Sequence, residues 1–137
     1  MKDIRMVRAG DMVDPVELRT DPVRVQRFGA ATHNAHRIHY DTLAARAEGL
    51  AGPVVMAQLH GTLFFRAAAR YAGDPAAVRA VSWQNRAPAA VGAILTVTGV
   101  VAEIEDGVLT LWLEERDEAG TICAIGRAVV GAESPVC

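Results

Sequence analysis

Lysine is almost missing from this 137-residue chain: Lys2 stands alone against thirteen arginines. Cysteine is nearly as scarce. Cys123 and Cys137 have neither the spacing of a metal-ligand pair nor the number for a disulfide framework. The first reads as a buried thiol and the second as a frayed chain end. Aromatic residues make up 5%, so a core cannot rest mainly on large rings. No apolar run approaches the roughly 20 residues a membrane-spanning helix needs, and no membrane partner is expected. The opening residues, MKDIRMVRAGD, lack the apolar core of a secretory signal, so a cytoplasmic location is expected. Positive charge is never dense. Residues 51–100 hold a surplus of three cations and residues 101–137 a surplus of six anions, within a net charge of −2. That is too dilute for a nucleic-acid surface, and no nucleic-acid partner is expected.

What the chain has is apolar residues, at 51%, and alanine, with 25 residues. Such a sequence folds rather than staying disordered, and its length fits one domain over 1–137. Alanine adds little side-chain area, so a monomeric core built from it is thin. This hints at association between subunits, although GC-rich coding produces the same bias.

The pattern changes along the chain. Asp21-Pro22 puts a capping side chain before a proline at a first helical position, predicting a helix to about Ala31 with Val25, Phe28 and Thr32 on one face. A short helix is predicted over Thr42–Ala47 and a long one over Ala57–Tyr71, ended by Gly73-Asp74-Pro75. The long one is apolar almost all round, as expected for a helix packed on a sheet and completed by another subunit. The last sixty residues read as strands: Val78–Arg86, Ala93–Glu103, Val108–Arg116 and Thr121–Val130. Turns at Glu105-Asp106-Gly107 and Asp117–Gly120 join the last three into an antiparallel meander. Helices first and sheet second is an α+β pattern.

All four histidines lie between positions 33 and 60, three of them in Thr32-His33-Asn34-Ala35-His36-Arg37-Ile38-His39-Tyr40-Asp41. Histidine suits proton transfer near neutrality. Spacing of i, i+3, i+6 turns the third side chain away from the first two on a helix, and no HExxH or nearby cysteine completes a metal site, so no metal is expected. The competing reading makes His33 and His36 loop residues that satisfy local hydrogen bonds.

Phe28 to Ala57 resembles the hydratase motif of the MaoC-like, (R)-specific enoyl-CoA hydratase family, G-D-x-N-P-[LIV]-H. His39 takes the motif histidine, Ile38 the aliphatic position, and Asp41 a frequent acidic position. Gly52-Pro53-Val54-Val55 is similar to the family's loop into its central helix. Asn85-Arg86-Ala87-Pro88 and Gly92 match positions before the long strands. Asn34 stands where the family has its catalytic aspartate, and His36-Arg37 where it has Asn-Pro. The variant N-A-H-R-I-H-Y-D is similar to a subgroup with mesaconyl-C4-CoA hydratases and type 2 hydroxyacyl-thioester dehydratases. Met56-Ala57 occupies the family's His-Gly, and His60-Gly61 lies one turn later. The resemblance implies a single hot dog domain, an antiparallel sheet wrapped around a long central helix. It also implies a homodimer or an oligomer of dimers, with a thioester site between subunits.

The implied reaction is reversible addition of water to an enoyl thioester of coenzyme A or of an acyl-carrier protein, with no cofactor. It needs a base for the water, an acid for the α-carbon and a donor for the thioester oxygen. His39 is the expected base and acid, Asn34 holds the water, and the Ala57 N–H is the oxyanion donor. Met56 flanks that donor, and Arg37, Tyr40 and His60 are further candidates for binding substrate. For Arg37 and Tyr40 the alternative is an exposed arginine and a packed aromatic; for His60 it is a satisfied interior histidine. Arg66, Arg70, Arg79 and Arg86 either attract coenzyme A phosphates or decorate solvated faces. Competing functions are a hot dog thioesterase, conjugate addition of an amine to the enoyl thioester, and a non-catalytic acyl-thioester-binding subunit. A heterodimer whose other chain supplies catalytic groups is a further arrangement.

Overall fold

The computed structural model describes residues 3–131. Strand β1 (Met12–Arg19) leads through the buried Thr20 into helix α1 (Pro22–Ala31). A single 3-10 turn (Arg37–His39) and the short α2 (Thr42–Ala47) follow. Then comes the long α3 (Ala57–Ala72), followed by β2 (Val78–Asn85), β3 (Ile94–Glu105), β4 (Val108–Arg116) and β5 (Ile122–Gly131). The strands form one antiparallel sheet in the order β1-β3-β4-β5-β2. No helix among the described residues is long and apolar enough to cross a membrane.

The three expected helices form with the expected punctuation. Asp21 caps α1 by accepting the Arg24 N–H at 2.9 Å, with Pro22 in the first turn, where its missing N–H is not needed. Gly73 closes α3 in a left-handed conformation (φ +77°), and its N–H donates to the Ala69 carbonyl at 2.9 Å. On α1, Val25 is buried and Phe28 half-buried, but Thr32 is the exposed C-cap rather than part of the packed face.

β1 corrects the picture of helices first and sheet second, because a strand of the sheet precedes all three α-helices. Its sequence, MVDPVELR, hides it. Pro15 sits at a bulge between Val13 and Val16, so the two buried valines are three residues apart instead of two. The bulge breaks the period-2 signal that identifies a strand.

α3 lies across the sheet and supplies Leu59, Leu63, Phe64, Ala67, Ala68 and Tyr71 to the core. Small residues let it come close. A Cβ on Gly126 of β5 would sit 2.6 Å from the Phe64 ring, and one on Gly61 would sit 2.5 Å from the Trp83 ring. Ten of the 28 buried apolar residues are alanines, so the packing is tight but offers little area per residue. β2 is an edge strand paired only with β5, and six of its eight residues are exposed. Cys123 is free and buried; Cys137 lies outside the described residues.

Candidate active site

The site begins where α1 ends. The Thr32 hydroxyl donates to the Phe28 carbonyl at 2.7 Å, and His33 then adopts a left-handed conformation (φ +55°). That conformation is uncommon for a residue with a Cβ. It turns the chain so that the Asn34 N–H donates to the Gly29 carbonyl at 2.8 Å. Gly29 permits the approach: a Cβ there would stand 3.0 Å from the Asn34 carbonyl oxygen and 3.4 Å from the Met56 side chain.

Asn34 is held by its own loop. Its Oδ1 accepts the His36 N–H at 3.3 Å, leaving its amide nitrogen 3.5 Å from His39 Nε2. His36 is the local hydrogen-bonding residue that the alternative reading expected, since its Nδ1 accepts the Ile38 N–H at 3.2 Å and caps the 3-10 turn. His39, at the end of that turn, is 8% exposed. Its Nδ1 donates to the Val54 carbonyl at 2.7 Å, while the Val54 N–H donates to the Ile38 carbonyl at 3.0 Å. A carbonyl can only accept, so the proton is assigned to Nδ1 and the lone pair to Nε2, on the side of Asn34.

Asn34 and His39 share a cleft of about 560 Å³ with His33, Tyr40, Gly29 and Met56. Val25, Gln26, Ala30 and Ala35 complete its wall. Met56 is also the N-cap of α3, and its side chain offers no hydrogen bond to the helix end. Ala57 is the first residue of that helix, where backbone N–H groups have no partner within the helix. The Ala57 position therefore adjoins the cleft through Met56.

Of the other candidates, Arg37 and His60 lie apart from the cleft and Tyr40 lines it. Arg37 donates to Asp41 Oδ2 from Nε at 3.1 Å and from Nη2 at 2.5 Å. Asp41 in turn caps α2, its Oδ1 accepting the Leu43 and Ala44 N–H groups at 3.0 and 3.1 Å. The Ala44 N–H and the Arg37 guanidinium hold the Asp41 carboxyl below the usual carboxylate range. Tyr40 lines the cleft, with its hydroxyl donating to the Ala35 carbonyl at 3.2 Å. His60 is 2% exposed and away from the cleft, its Nδ1 against Glu115 Oε1, with Glu115 fully buried. Among the described residues no group of three His, Cys, Asp or Glu side chains converges as a metal site.

Sequence reasoning did not single out Gly29 or the strained His33 as shaping the site. The signal for Gly29 was a glycine inside a helical pattern, where it costs about 1 kcal/mol relative to alanine and so calls for a packing reason.

A family model for hydroxyacyl-thioester dehydratase type 2 matches residues 5–91. No curated protein matches the sequence. Solved structures share its architecture. An (R)-hydratase from A. caviae involved in PHA biosynthesis has a TM-score of 0.85 and 20% identity, over 94% of this chain and 99% of that one. A chain of the ChsH1–ChsH2 complex from Mycobacterium tuberculosis has a TM-score of 0.83 and 20% identity, over 93% of this chain and 100% of the other. A MaoC-like dehydratase from Rhodospirillum rubrum has a TM-score of 0.77 and 16% identity, over 96% and 97%. The shared architecture is the hot dog fold, a single α+β domain with the sheet against the long helix.

Proposed function

The chain belongs to the hydroxyacyl-thioester dehydratase type 2 family, and from that premise we propose that it adds water reversibly to the double bond of an enoyl thioester. The supporting observation is the orientation of His39. With Nδ1 committed to the Val54 carbonyl, Nε2 is the basic nitrogen, and it faces the Asn34 amide on the cleft.

His39 Nε2 takes a proton from a water molecule held by the Asn34 amide, and the water oxygen attacks the β-carbon. The electron pair of the double bond moves toward the thioester, whose oxygen becomes enolate-like. The N–H of Ala57 donates to that oxygen, and the positive end of the α3 dipole adds to the stabilisation. One such donor contributes about 2.7–4 kcal/mol to transition-state stabilisation in well-studied enzymes. The imidazolium of His39 then returns its proton to the α-carbon, so one residue serves as base and acid. Dehydration is the same path in reverse. Asn34 cannot exchange a proton, so its part is to orient the water.

The test is mass spectrometry of products formed from crotonyl, longer enoyl and branched enoyl thioesters, with and without added amines. Hydration adds the mass of water with the thioester intact. Release of free thiol would instead identify a thioesterase, and addition of the amine mass a conjugate-addition enzyme. No product from any of them would favour a binding subunit.

A further inference from the structure

The cleft accounts for the acyl end of a thioester but not for its anionic end. A second groove of about 560 Å³ runs between α1 and α3, on the other flank of α1. Its floor is apolar, with Leu18, Leu59 and Leu63, and three guanidinium groups rim it: Arg24, Arg27 and Arg66. Among the described residues none of these arginines is in a salt bridge. The single acid on the groove, Asp21, already accepts the Arg24 N–H at the start of α1. Two of the three side chains are braced. Arg24 donates from Nη1 to the Arg19 carbonyl at 3.0 Å, and Arg66 from Nη1 to the Glu17 carbonyl at 3.4 Å. The Glu17 and Arg19 carbonyls of β1 thus orient two cations that form no salt bridge among the described residues.

The distance also fits. Gln58, Thr62 and Arg66 follow one another on the exposed face of α3 at four-residue spacing. Arg66 is nine residues beyond Ala57, so at a helical rise of 1.5 Å per residue it lies about 14 Å along the axis from the proposed oxyanion donor. A pantetheine arm must bridge a gap of this order between a thioester carbonyl and its phosphates. We infer that the α1/α3 groove, through Arg24, Arg27 and Arg66, binds the phosphates of coenzyme A while the acyl group occupies the cleft at His39. Three guanidiniums with no salt bridge among the described residues match the clustered phosphates of coenzyme A better than the single phosphodiester of a carrier-protein arm. The inference rests on the thioester reading of the site, but the groove can be tested separately.

Calorimetric titration with adenosine 3′,5′-bisphosphate measures the groove without any turnover. The expected result is binding that weakens at higher salt and falls at least tenfold in Arg27→Gln/Arg66→Gln. Both side chains are exposed, and circular dichroism of the variant controls for folding. Equal binding by the variant and the unaltered protein, or no binding to either, overturns the assignment. In the unaltered protein, a lower KM for crotonyl-CoA than for crotonyl-pantetheine supports it. A crotonyl carrier protein used in preference to crotonyl-CoA overturns it in favour of a carrier-protein surface. If the bisphosphate binds through these arginines but no enoyl thioester reacts, the groove stands and the hydration reading falls. If thioesters are hydrated with no arginine-dependent binding, the reverse holds.

Discussion

Two buried polar residues, Glu115 and His60, face each other inside the core. Glu115 is fully buried on β4, and its Oε2 has no hydrogen-bond partner among the described residues. A buried carboxylate is costly unless its partner stays. His60→Ala should therefore cost about 3–5 kcal/mol in urea denaturation, whereas His60→Leu with Glu115→Leu should recover most of that loss. A double-variant loss equal to the sum of the losses of His60→Leu and Glu115→Leu alone would mean that the pair is not coupled. Cys123 gives a pH prediction. Burial, followed by the Asp117 and Glu115 carboxylates, pushes its thiol up from 9.0 to about 11. Because the folded-state value is the higher one, the folded protein keeps a proton that the unfolded chain gives up first. Its stabilising effect is complete below about pH 9 and is lost as pH rises toward 11. In a Cys137→Ser background, iodoacetamide should label the protein at pH 8.5 only when denaturant unfolds it.

At the scale of elements, the site depends on how α1 stops. Gly29→Ala would force apart the helix and the Asn34 backbone, now separated by the space of one missing methyl. The expected result is a several-fold loss of kcat with the fold retained, measured on an enoyl thioester and by circular dichroism. Unchanged kcat would show that the α1–Asn34 contact does not position the site. Much of this scale was readable from the sequence. Asp21-Pro22, Asp41 and Gly73 mark helix ends through local hydrogen bonds and backbone preference, so nearby residues encode them. β1 was not readable because Pro15 and the bulge spoil its alternation. The Asn34–His39 pair was visible through a motif five residues apart, but the lock on His39 was not. Val54 is fifteen residues away and offers only a carbonyl, which every residue has. Glu115, 55 residues from His60, read simply as one residue of the strand Val108–Arg116. By contrast, Arg37–Asp41 is an i,i+4 pair that the spacing alone could have suggested.

For the whole molecule, the thin alanine core and the exposed edge strand β2 point the same way. β2 leaves one edge of the sheet open, and Trp83 on it is 39% exposed beside α3. Natural sheets protect or pair such edges. We expect a homodimer that continues the sheet through β2, with a melting temperature that rises with protein concentration. Analytical ultracentrifugation checks it, and a monomer at micromolar concentration would remove the dimer from the account. The central claim, however, concerns His39, whose basic nitrogen is fixed toward Asn34. The most direct test is the rate of crotonyl-CoA hydration by His39→Ala, with its circular dichroism and mass compared with the unaltered protein. The expected result is an unaltered protein that hydrates the thioester and a folded variant of the same assembly with no detectable hydration. A folded His39→Ala protein that still hydrates crotonyl-CoA at an undiminished rate would contradict it.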